Sequence, residues 1–230
     1  MAYSEVGSGS QRATGRHANA DSGTLAFPGS VTSGNLLIVS GANWKSGGSS
    51  VTVAVSDTRS TSYTVLETYD GEMTLFIAYG VASSSGACTV TVDPAGTANY
   101  FSYSIDEFTG QDATPLDVDG GSSNGTSTTP ADSVTTATAN DLIIGVMTQS
   151  TASSISLTPG GSYTEIGEEE DNGTYQGHNA VFRIVTTAQA YSVDWTMGSS
   201  QYWVAKTAAF KEATASYAPL PVKVWSMLNG

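Results

Sequence analysis

The sequence predicts an all-β chain: two tandem antiparallel β-sandwiches of jelly-roll-like type, packed closely, followed by an extended C-terminal tail. Three observations lead there. Apolar runs are short, β-branched or aromatic, and bounded by Gly, Ser, Asn, Asp or Pro, with no clear helix-period stripe. The core-forming runs occur twice in the same order, about a hundred residues apart, far beyond the period of a solenoid repeat. After Phe210 the chain continues as an apolar, proline-containing segment with no counterpart after the first copy.

In the first copy, alternation places strands near Gly23–Phe27, Asn35–Gly41, Ser50–Asp57, Tyr63–Tyr69, Met73–Val81, Cys88–Val92 and Asn99–Phe108. In the second it places them near Ser133–Ala137, Asp141–Thr148, Ser154–Thr158, Tyr163–Glu168, Asn179–Thr186, Tyr191–Thr196 and Gln201–Phe210. Val51, Val53 and Val55 share one face, as do Tyr191, Val193 and Trp195, so one face of each strand meets a partner sheet. Leu36–Val39 and Leu142–Ile144 are apolar without alternation, which marks central strands covered on both faces. Lys45–Ser49 and Pro159–Ser162 carry turn chemistry. Gln11–Ala20 holds Arg12, Arg16 and His17, the most basic stretch, and reads as a solvated loop or a contact arm.

The repeat pairs Leu36 with Leu142, Ile38 with Ile144, Tyr63 with Tyr163, Tyr100 with Tyr202 and Phe108 with Phe210. It copies a core and no catalytic set. The expected domains are residues 1–112, 113–212 and a tail at 213–230, with Asn124–Ala131 as a loop inside the second copy. In the tail, Pro219 and Pro221 fix an extended path. Pro219, Leu220, Val222, Val224, Trp225, Met227 and Leu228 are too apolar to stay in water, so this segment is expected to dock on its own sandwich or on a neighbour.

Composition bounds the partners. The net charge of −13 repels phosphate backbones, so nucleic acid is not an expected partner. No run approaches the ~20 apolar residues of a helical membrane span, and the N-terminus lacks a signal-peptide pattern. The chain is therefore expected to be made in the cytoplasm and to stay soluble unless exported or assembled. Cys88 is the only cysteine and sits in an alternating strand, as a small buried thiol would. His17 and His178 have no nucleophile motif or metal-ligand spacing around them. Glu168–Asp171 reads as a solvated loop, and a weak Ca²⁺ site there or at Asp117 and Asp119 is a minor alternative. No cofactor is expected. Trp44 and Tyr175 read as loop-tip aromatics that can stack on a sugar or anchor a partner, or else fold back on their own core.

Asn35–Val39, Asp141–Ile144, Gly161–Thr164, Leu75–Tyr79 and Tyr202–Phe210 resemble the core motifs of a family of Gly/Ser/Thr-rich double β-sandwich proteins of bacteria and their phages. The resemblance spans nearly the whole chain except the tail and carries no chemistry. It implies a non-enzymatic virion protein similar to the decoration (cement) proteins of tailed phages. Such a protein binds the major capsid protein, or another virion protein, as a trimer or dimer. The runner-up is a carbohydrate-binding module of a tail or cell-surface appendage, stacking sugars on Trp44, Tyr175 or Trp203.

Overall fold

The fold was obtained as a computed structural model, which describes residues 2–45, 47–96, 99–150, 157–169 and 177–214. The expected tail residues and Tyr175 lie outside that set. Within it, the chain is antiparallel β-structure with a single short 3-10 turn at Val6–Gly9.

The first half forms β1 (Ser4–Glu5), β2 (Ala13–Ala20), β3 (Gly23–Val31), β4 (Leu36–Lys45), β5 (Val53–Asp57), β6 (Thr64–Asp70), β7 (Met73–Val81), β8 (Gly86–Pro94) and β9 (Asn99–Thr109). The second forms β10 (Gln111–Ser127), β11 (Ala131–Thr135), β12 (Asp141–Gln149), β13 (Leu157–Pro159), β14 (Thr164–Glu169), β15 (His178–Ile184), β16 (Ala190–Met197) and β17 (Gln201–Glu212). A large sheet in the first half runs β1-β9-β4-β7-β6, with β2 also on β9, and faces a small sheet β3-β8-β5. In the second half β10-β17-β12-β15-β14 faces β11-β16-β13. Strand order is therefore the same in the two halves, and Leu36 opposite Phe108 matches Leu142 opposite Phe210.

The two unalternating runs are central strands, β4 between β9 and β7, and β12 between β17 and β15. Each needs both faces covered because every residue from Leu36 to Val39 and from Leu142 to Ile144 is fully buried. Leu37 and Val39 point into the first sandwich, onto Phe27 of β3 and Val90 and Val92 of β8. Ile143 points into the second, onto Tyr191, Val193 and Trp195 of β16. Leu36, Ile38, Leu142 and Ile144 point the other way and share one core with Phe108, Phe182 and Phe210. The large sheets thus pack face to face, and the molecule has four layers: small, large, large, small.

The seam between the large sheets has pseudo-twofold contacts. Tyr79 meets Phe210 edge to face at 5.1 Å and 64°, while Phe108 meets Phe182 at 5.1 Å and 68°. Tyr79 and Phe182 occupy matching positions opposite Thr64 and Thr164, so each contact is the counterpart of the other, as in an isologous interface. One residue joins the halves: Gly110, at φ +107, where a Cβ would lie 2.6 Å from the Ala2 carbonyl oxygen.

Three expectations are corrected. Ala13–Ala20 is not a solvated loop but strand β2, paired with β9 from Ala13–Ile105 to Ala20–Asn99. Asn124–Ser127 is not a loop either; it continues β10 opposite Gln201–Val204. Trp44 is not at a loop tip, because β4 runs on through Gly41 to Lys45. Gly41 permits this: a Cβ there would lie 2.2 Å from the Ser102 carbonyl oxygen on the neighbouring strand.

Phe210 sits at the centre of the seam, fully buried and against Tyr79. Phe210→Ala is expected to lower unfolding free energy by about 3–5 kcal/mol in urea titration. A loss below about 1 kcal/mol means that the seam does not hold the fold.

Candidate functional site

Most groups that carry chemistry are held by the scaffold. His178 is fully buried in the seam, its Nδ1 2.7 Å from Ser102 Oγ and its Nε2 2.8 Å from Ser104 Oγ. Ser104 Oγ lies 3.1 Å from Thr14 Oγ1, so a chain of hydrogen bonds crosses from β15 to β9 and β2. Burial pushes the imidazole down to about 3, and it stays neutral at physiological pH. His17 stacks on Phe101 at 4.9 Å and on Tyr103 at 5.8 Å, and burial lowers it too. Burial pushes the Cys88 thiol up to about 12, and Asp57 beside it adds to this, which suppresses thiolate chemistry.

The basic N-terminal stretch is likewise engaged in contacts within the chain. Arg12 Nε donates to Asp106 Oδ2 at 3.1 Å, its Nη2 pairs with Glu5, and its Nη1 donates to the Glu165 carbonyl at 2.6 Å. The guanidinium also lies 5.1 Å from the Phe182 ring centroid, so one side chain ties the first sandwich to the second. Arg16 approaches Glu169 at 3.6 Å. Burial, reinforced by Glu5, raises Asp106, while Arg12 opposes the shift.

The acidic candidates are also engaged. Asp117 Oδ2 accepts from the Ala137 and Thr138 amides at 2.6 and 3.3 Å. Asp119 Oδ1 accepts from Lys206 Nζ at 2.7 Å, and Lys206 itself is buried. Glu168 Oε1 accepts from the Leu157 amide at 3.3 Å, and Asp171 lies outside the described residues. Among the described residues no three His, Cys, Asp or Glu side chains converge on a cation position. A shallow cleft of about 450 Å³ opens beside Asp112, Asn140, Lys211 and Thr214. Behind it Asp141 is fully buried and takes a 2.7 Å hydrogen bond from Thr138 Oγ1. Burial lifts this carboxyl, Thr138 offsets part of the shift, Asp117 beside it adds to it, and the result is about 7.

Of the aromatic candidates, Trp203 is buried, donates from Nε1 to Ser127 Oγ at 3.0 Å and packs in the second sandwich core, so it is no stacking platform. Trp44 is half-buried, with Nε1 donating to Glu72 Oε2 at 2.9 Å and Tyr100 tilted against it at 5.4 Å. Asp70 accepts from Tyr202, across the seam, and from Asn124 Nδ2 at 2.9 Å. Trp44, with Tyr100 and Glu72 against it, thus shares with Asp70, the acceptor of Tyr202, the strand partner Met73, a grouping that sequence reading did not assign to one site. The chain matches no protein-family model, no curated protein and no solved structure.

The raised carboxyl sets a pH dependence. Asp141 ionises at about 7 in the fold against 3.8 when free, so between those values the folded chain holds more protons than the unfolded one. Stability contributed by this group falls as pH rises through that window and is level above it. Asp141→Asn is expected to flatten the decline in the urea midpoint between pH 5 and 8; an unchanged slope assigns the decline to other groups.

Proposed function

We propose that this chain is a non-enzymatic structural protein of a virion, a capsid decoration protein that binds an assembled phage shell and stabilises it. It acts as a dimer or trimer, bridging neighbouring copies of the major capsid protein, and takes no cofactor. Both sandwiches descend from one duplicated unit on this reading, which their common strand order supports.

The observation that carries the non-enzymatic part is the state of the reactive groups. His17, His178 and Cys88 are the only histidines and cysteine of the chain, and each is packed or hydrogen-bonded within a core. Neutral imidazoles and a raised thiol suit a scaffold better than a proton-transfer site. The virion part rests on the resemblance of the repeated core motifs to phage proteins, an argument at the level of fold. The four-layer slab supports it, because a rigid body presenting two similar sandwiches suits a repetitive surface. Residues 217–228 supply further apolar contact, with Trp225 as anchor.

Shells of the encoding phage, stripped of accessory proteins, provide the test. The full chain is expected to co-sediment with them to a saturating ratio fixed by shell symmetry, and residues 1–214 alone to be retained less. Failure of the full chain to co-sediment overturns the decoration reading; undiminished retention of residues 1–214 overturns the role of the tail.

A further inference from the structure

Tyr100, Trp44, Met73 and Asp70 form one rung across β9, β4, β7 and β6, in that order. Trp44 and Met73 pack on the seam core, and Tyr202 of the second sandwich joins them there. The rung therefore lies at one mouth of the seam, with Glu72 in the β6–β7 turn beside it.

In the second sandwich the pair that corresponds to Trp44 and Tyr100 is Ser150 and Tyr202, with Ser150 donating its amide to the Tyr202 carbonyl. A serine thus satisfies the fold at this place, so the indole is not required by the sandwich itself. Its orientation is nonetheless fixed. The indole N–H is held by Glu72, and the Tyr202 hydroxyl is held by Asp70, whose carboxylate pushes the phenol up to about 12. Trp44, Tyr100 and Tyr202 are all only half-buried, as are both carboxylates.

The local charge is negative. Lys45 is the adjacent cation, and its Nζ reaches the Ala95 carbonyl at 3.3 Å on the turn before β9. Asp70 and Glu72 each use one oxygen in the hydrogen bonds described, which leaves the other oxygen of each carboxylate for a donor. An aromatic rim with Glu72 on the indole and Asp70 on the Tyr202 phenol attracts a cation through the ring quadrupoles and the charges together. It gives a neutral sugar no comparable advantage, and it repels phosphate.

We propose that this mouth, built from Trp44, Tyr100, Tyr202, Asp70 and Glu72, binds a lysine or arginine side chain of a partner protein. The assembly reading supplies the kind of partner; recognition of the cation stands on the cluster alone. It gives an acidic chain a directional contact with a basic surface, in addition to general attraction.

The test uses the full chain, ¹⁵N-labelled, titrated with N-acetyl-arginine amide and N-acetyl-lysine amide. A saturable shift of the Trp44 indole N–H is expected, at low-millimolar affinity, with the amides of residues 70–73 moving in step. Trp44→Ser is expected to weaken binding by about tenfold or more, read from those amides. Glu72→Gln keeps the acceptor for the indole and removes the charge, and is expected to weaken binding by about threefold or more. An unmoved indole signal, unchanged affinity in both variants, or a shift produced by neutral hexasaccharides and not by the cations overturns the proposal. Co-sedimentation with shells, measured separately, tells its failure from failure of the decoration reading.

Discussion

Leu36, Ile38, Leu142 and Ile144 meet between the two large sheets, and this contact decides what the rest of the chain can do. Either sandwich alone would expose one apolar face of its larger sheet. Each fully buried Leu or Ile is worth roughly 1.5–3 kcal/mol relative to exposure, so those faces cannot remain in water. Joining them solves the problem for both halves at once. The single-residue passage at Gly110 leaves the sheets little freedom to pack in any other way.

A purely apolar seam would slide. The large sheets are of similar width, and period-two surfaces tolerate shifts of register when nothing polar pins them. Here the pins differ at the two ends. At one end Arg12 spans Asp106, Glu5, the Glu165 carbonyl and the Phe182 ring, and His178 sits between Ser102 and Ser104. At the other, Asp70 receives Tyr202 and Asn124. The buried members, His178, Ser102, Ser104 and Asp106, must be satisfied together, which favours one arrangement of the sheets. Arg12 and His178 are thereby used internally, and the half-buried rim around Trp44 is an aromatic surface with charge still to offer.

The strands with alternating or continuous apolar residues were legible in the sequence, Met73–Val81 to the residue and β16 nearly so. That β4 and β12 are central followed from their unbroken apolar runs. What covers their second faces did not follow, because a run of Leu, Ile and Val does not say whether a sheet, a helix or another subunit lies above it. Strand β2 and the Gly/Ser-rich second half of β10 read as loops because Gly, Ser, Asn and Ala dominate them and few of their side chains are buried; they are held through backbone pairing with β9 and β17. Trp44 was misplaced because Gly41 reads as a strand terminator, whereas it marks close approach of the neighbouring backbone. No local pattern links Trp44 to Tyr202, since only the seam brings Tyr202 to Asp70, at the end of the rung that holds Trp44.

One rigid four-layer body is the premise of both the assembly reading and the cation-binding mouth, since each needs surfaces from the two sandwiches fixed relative to one another. Native-state hydrogen exchange tests that premise directly. If the seam unites the sandwiches, the most protected amides of β4 and β12 share one opening free energy, equal to that of global unfolding. Two separate opening free energies, with β12 exchanging while β4 stays protected or the reverse, would contradict it.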